Sequence, residues 1–174
     1  MKVLELIEKL ESSSEFKEFS KKNPKAFLSS GFFVFDFEAG KNVQQMNYLI
    51  PSEKKIAVFS VLESGVEEKT SPLFDEEGKE KFHELKLKGL KVDIDSVEEE
   101  VTEKLKKEKV SAKLSKIIAV LQPKDEGNGI LWNLTCILEG LLILRIFIDA
   151  KTGKITKFEK AGLMDFVKIG KGGK

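Results

Sequence analysis

Few side chains in this chain of 174 residues could carry covalent or metal chemistry, and they are poorly placed for it: there is one histidine, His83, and one cysteine, Cys136. A serine or cysteine nucleophile needs an imidazole held beside it and an acid to orient that imidazole. His83 would have to serve, and it stands in the charged linker stretch EKFHELK. His83-Glu84 is not followed by a second histidine at the metalloprotease spacing, and a zinc site of cysteines and histidines within one chain fails on count. Cys136 falls in the alternating segment 131–138, on the same face as Trp132, Leu134 and Leu138, the setting of a buried filler rather than a reactive thiol. Glu98-Glu99-Glu100 sits near a helix start, where the dipole favours carboxylates, so a solvated face is its expected role. Gly127-Asn128-Gly129 lacks the lysine and the strand-loop-helix setting of a phosphate loop and reads as a turn. The chain is therefore expected not to be an enzyme, with a carboxylate-only enzyme ranked last, and no cofactor or metal is implied.

Charge and hydropathy bound the partners. Thirty basic against twenty-nine acidic side chains leave a net charge of +1, so no overall field favours nucleic acid or an anionic membrane. The aromatic run GFFVFDF from Gly31 invites comparison with the RNP1 signature of RNA-binding sheets, but Ser30 stands where a basic residue belongs and the helix order is not that of an RRM. A lone cysteine excludes an internal disulfide. No stretch approaches the ~18 apolar residues of a membrane span, and no apolar signal-peptide core is present at the N-terminus. The chain as given reads as soluble and cytoplasmic, or extracytoplasmic if a signal or anchor was removed before Met1.

The elements that must position these residues follow from periodicity. Val3, Leu4, Leu6, Ile7 and Leu10 fall at helical spacing, predicting a helix over 2–11. Ser12 with Glu15 has capping-box spacing for a second helical piece carrying Phe16 and Phe19, which Asn23-Pro24 should end. From Ala26 the period becomes two: Phe33, Phe35 and Phe37 point one way, Phe32, Val34 and Asp36 the other. Strands are expected at 43–50 and 55–63. A second helix should start at the Ser96/Glu99 box and run to about 109, followed by strands at 113–121, 130–138, 141–149 and 154–158.

The last two of those strands enclose a tight hairpin. Residues 140–148, GLLILRIFI, are apolar almost throughout, as in a central strand covered on both faces, with Arg145 the exception. Gly153 is where the turn needs positive φ, and Asp149 can accept bonds from the turn's own N–H groups. Asp149, Thr152 and Gly153 are therefore assigned a structural role.

The pattern Ile148, Asp149, Ala150, Lys151, Thr152, Gly153, Lys154, Ile155 resembles the closing hairpin of PepSY-like domains, and the resemblance extends back over the preceding helix, covering residues 94–160. It implies an α+β unit with one helix across an antiparallel sheet, close to the cystatin-like class, and a peptidase-inhibiting or protein-binding role, without catalytic residues. The usual setting of such modules is extracytoplasmic.

Aligning Gly65 with Gly153 also aligns Ser64 with Thr152, Phe59 with Phe147 and Tyr48 with Cys136, which suggests an internal duplication. The expected architecture is thus α+β, with tandem helix-plus-antiparallel-meander halves sharing or abutting a sheet. Residues 1–66 form the N-terminal half, 67–91 a charged linker with a short helix near 79–85, 92–169 the PepSY-like half, and 170–174 a disordered tail.

Two functions from different classes are carried forward. The first is a non-enzymatic module that offers a sheet face, an edge strand or an inter-half groove to a protein or peptide, as a monomer or homodimer. The second is a carrier of a small apolar ligand, with a pocket between helix and curved sheet. The candidate apolar face is Phe33, Phe35, Phe37 and Trp132, with core packing as their competing role.

Overall fold

The computed structural model describes residues 1–73 and 82–162. Eight antiparallel strands form one continuous sheet in the order β4-β3-β2-β1-β5-β6-β7-β8. The first four are β1 (Phe27–Asp36), β2 (Val43–Ile50), β3 (Lys55–Leu62) and β4 (Gly65–Pro72). The others are β5 (Leu114–Pro123), β6 (Ile130–Leu138), β7 (Leu142–Asp149) and β8 (Ile155–Gly162). Three short helices accompany them: α1 (Val3–Ser12), α2 (Ser14–Lys22) and α3 (Ile94–Lys107).

This corrects the expectation of two helix-plus-meander halves. Hydrogen bonding does not stop between them, because β1 pairs with β5 from Gly31↔Leu121 to Asp36↔Lys116. That pairing removes two open edges from the middle of the molecule. The alignment of Gly65 with Gly153 sets Tyr48 beside Cys136, both in the core, but it does not hold for Phe59 and Phe147. Phe59 is fully buried in the core, whereas Phe147 stands on β7 between the buried Ile146 and Ile148 and points to the opposite face. A shift of one residue along a strand inverts its faces.

Residues 67–72, read as the start of the linker, pair with β3 as part of β4. Of the short helix expected near 79–85, positions 79–81 lie outside the described residues and 82–85 are not helical. The tail 170–174 also lies outside them.

Local chemistry explains the helix boundaries. Ser13, rather than Ser12, caps α2, its Oγ accepting from Phe16 N–H at 3.2 Å. α3 starts two residues before Ser96, capped by Asp93. The Asp93 Oδ1 accepts from Ile94 N–H at 2.7 Å and from Val3 N–H at 2.9 Å. One carboxylate thus satisfies orphan donors at the first turns of α3 and α1, and ties the two ends together.

All three helices lie on one side of the sheet. Phe16 and Phe19 of α2 meet Tyr48 and Phe59 at ring-centroid distances of 5.0–6.1 Å. Lys104 of α3 stacks over Phe158 of β8, 5.1 Å from the ring centroid. Beneath the helices the inward residues of the strands are fully buried: Phe33, Met46, Phe59, Ile117, Leu121, Trp132, Leu134, Cys136, Leu144 and Ile146.

Residues 82–92 cross one end of this layer as an irregular strap with a turn at Leu87–Leu90. Leu85 N–H donates to Leu28 O at 2.8 Å, and Lys91 and Val92 N–H both donate to Ala150 O. The Trp132 indole N–H closes the same junction on Val92 O at 2.7 Å.

Candidate functional site

Strand alternation that sends Phe33 into the core sends its neighbours Phe32 and Val34 to the opposite face, and no described element covers that face. Its central residues come from the paired strands β1 and β5, where Phe32 sits opposite Val120 and Val34 opposite Ile118. Leu131 and Ile137 on β6, Phe147 on β7, and Ile56 and Val58 on β3 extend it, while Leu49 of β2 and Ile143 of β7 on the same side are buried. Phe32, Val34, Ile118, Val120, Leu131, Ile137 and Phe147 are half-exposed, and none packs against the helix-covered core. This open face combines an apolar centre with a few well-placed polar groups, the composition expected of a surface that receives a partner.

The polar groups are anchored at the strand ends. Asp36, at the β1–β2 turn, accepts from Ala39 N–H at 2.8 Å and Glu38 N–H at 3.1 Å, and pairs with Lys116 of β5 at 3.1 Å. Those bonds, the Ala39 amide foremost, hold its carboxyl below the usual range. Asp149 repeats the device at the β7–β8 turn. Its Oδ1 accepts from Lys151 and Thr152 N–H at 2.9 and 3.1 Å, and its Oδ2 from Lys124. The Lys124 ammonium is the main cause of its lowered pKa, with the turn amides adding to it. Thr152 Oγ1 accepts from Lys154 N–H at 3.2 Å, and Gly153 has φ +82°. The hairpin residues therefore bind the turn itself, while Ala150 between them is fully buried and receives the strap before α3.

An open cleft of about 360 Å³ lies where β5 turns into β6, beside Lys124, Asp125 and Asn128, with Leu131 and Phe147 of the open face in its lining. Lys157 of β8 stands over the Phe147 ring, 5.0 Å from its centroid.

The four residues proposed as an apolar face are divided by the structure. Phe33 and Trp132 are fully buried and pack together, ring centroids 5.6 Å apart. Phe35 is partly buried against the same core, and only Phe37, just past the end of β1, is exposed, at 39%. Cys136 is fully buried, and burial pushes its thiol up to about 12. His83 is half-buried on the strap, beside Gly127.

The residues that sequence reasoning passed over are the alternate ones, Phe32, Val34, Ile118 and Val120. Their signal was available: β1 and β5 are apolar on both faces, which marks the middle of a sheet.

No family model matches the chain, and no curated protein matches it in sequence. A solved structure is similar in fold, that of a candidate lipoprotein from Clostridium difficile 630. It shares 17% identity with a TM-score of 0.55, over 84% of this chain and 90% of that one. The similarity establishes a shared fold. No helix among the described residues is long and apolar enough to cross a membrane.

Proposed function

We propose that the protein is a non-enzymatic module that binds a protein or peptide on the open face of its sheet. The observation that carries this reading is the contiguous apolar centre at Phe32, Val34, Ile118 and Val120, half-exposed and outside the core. The hairpin's resemblance to PepSY-like domains supports the same class of role, peptidase inhibition included. The lipoprotein description of the structural neighbour supports an extracytoplasmic setting. The edge strands are less suited to the task, because β4 and β8 carry the charges Glu67, Glu68, Lys69, Lys157, Glu159 and Lys160, which discourage strand addition.

The test is affinity recovery at moderate salt from an extract of the source organism, with the wild-type chain and a folded Phe32→Ser/Val120→Lys variant in parallel. A partner retained by the wild type and lost by the variant is the expected result. Recovery of the wild type alone and monomeric, or the same partners on both baits, would overturn the reading.

A second reading, a carrier of a small apolar ligand, draws support from the cleft at Leu131 and Phe147. Native mass spectrometry after gentle purification would show a retained small molecule if it holds.

A further inference from the structure

The open face carries the chain's one arginine among thirty basic residues, Arg145 on β7. Its side chain is half-buried. The register sets it between Thr135 of β6 and Glu159 of β8, with Ile143 and Phe147 next along its own strand face. The nearest carboxylate in register is engaged elsewhere: Glu159 Oε2 lies 3.5 Å from Lys157 Nζ. Among the described residues nothing accepts a bond from the Arg145 side chain, and its Nε is buried without a partner. A buried guanidinium N–H left unsatisfied carries a desolvation cost, and the rest of the guanidinium also has no acceptor among the described residues.

A second unsatisfied group shares this face. Asn47 of β2 donates through Nδ2 to Ser30 Oγ at 3.0 Å, while its Oδ1 is buried and unpartnered. These are the two such side-chain atoms found among the described residues, and both lie on the sheet side that none of the described helices covers. Four strand intervals separate β2 from β7, about 19 Å at ordinary interstrand spacing. Phe32, Val34, Ile118 and Val120 fill the space between.

We propose that the open face receives a partner polypeptide lying across the strands, which places a carboxylate on Arg145 and apolar side chains over the β1–β5 centre. This deepens the binding reading above and rests on it. Guanidinium is the group suited to two-bond recognition of a carboxylate, here through its Nη groups, which lysine cannot reproduce. An arginine framed by apolar side chains also fits the pattern of an interface hot spot. A second copy of the chain is less well matched. Packing two sheets face to face about an axis along the strands would set Arg145 opposite the other copy's β3, whose outward residues are Ile56, Val58, Ser60 and Leu62.

The test uses the full chain and a display library of random peptides of about thirteen residues, long enough to reach from Arg145 across the β1–β5 centre even as a helix. Peptides retained by the wild type should share an Asp or Glu flanked by apolar residues. Replacing that acid by its amide should weaken binding at least about tenfold on the wild type, as expected for a lost charged hydrogen-bond pair, and should change nothing further on Arg145→Met. Arg145→Lys, which keeps the stem and the charge, should lose most of the affinity with an unchanged unfolding midpoint.

Retained peptides with no acid requirement, or acidic peptides that bind Arg145→Met equally well, would overturn the role of Arg145 while leaving peptide binding intact. Absence of any retained peptide would count against both. Self-association abolished by Arg145→Met would give the face to a second copy and overturn the partner assignment.

Discussion

The two faces of the same sheet differ in what lies against them and little in what they are made of. Phe33 and Phe32 are neighbours in sequence, identical in type and both central in the sheet. One is sealed under helices against Trp132, the other remains half-exposed beside Val120. Apolar composition alone therefore does not locate the core of this protein; the helices and the strap decide which face becomes core. The face that the described helices leave free is the one to which we assign partner binding.

The comparison breaks most visibly with a matched pair of truncations. Phe33→Ala should cost about 3–5 kcal/mol, as for a fully buried aromatic, whereas Phe32→Ala should cost about 1 kcal/mol or less. Urea denaturation of both variants provides the check, and equal losses would mean that the open face is already packed against something.

Next in size is the cap shared by two helices. Asp93→Ala removes the acceptor for both Val3 and Ile94 N–H, and should lower stability by about 1–2 kcal/mol. Because the loss falls on the helical layer, amide exchange should quicken in α1 and α3 before it does in β1 or β5.

A smaller effect is expected at the hairpin. Gly153 has φ +82°, and an added Cβ would meet only Val92 Cγ2 at 3.7 Å. Gly153→Ala should therefore destabilise by about 1 kcal/mol through backbone strain rather than a clash, and a change in thermal midpoint would report it.

The smallest is a pH effect at the two anchored carboxylates. Asp36 and Asp149 are both held below the ordinary carboxylate range. Each contributes stability that is complete above the unfolded pKa of about 3.9 and is lost as pH falls through the lower folded value. Stability should decline below about pH 4, and Asp149→Asn should be less stable than wild type at neutral pH but show a shallower acid decline.

Much of this was legible in the sequence one element at a time. The period-two alternation placed β2 and β6 at their observed limits, 43–50 and 130–138. The pairing of β1 with β5 was not legible, because partners 80 to 90 residues apart leave no local mark and only the two-sided apolarity of both strands hints at a central position. β4 was missed for the opposite reason: GVEEKTSP is polar on nearly every position, as suits an outer strand, and so reads as linker. The candidate face failed on a similar point. Alternation shows that Phe33 and Phe32 point to opposite sides, but which side the helices cover is settled by tertiary contacts such as those of Phe16 and Phe19 with Phe59. Arg145 stood out as the exception in an apolar strand, yet its lack of a partner depends on Glu159 being engaged by Lys157, which only the fold reveals.

The division of labour between the faces is tested most directly by brief hydroxyl-radical labelling of the folded, monomeric chain, read residue by residue by mass spectrometry. Phe32 and Phe147 should be modified readily while Phe33 and Trp132 stay protected until the protein unfolds. Protection of Phe32 equal to that of Phe33 in the monomer would mean the open face is already occupied from within, and the account would not stand.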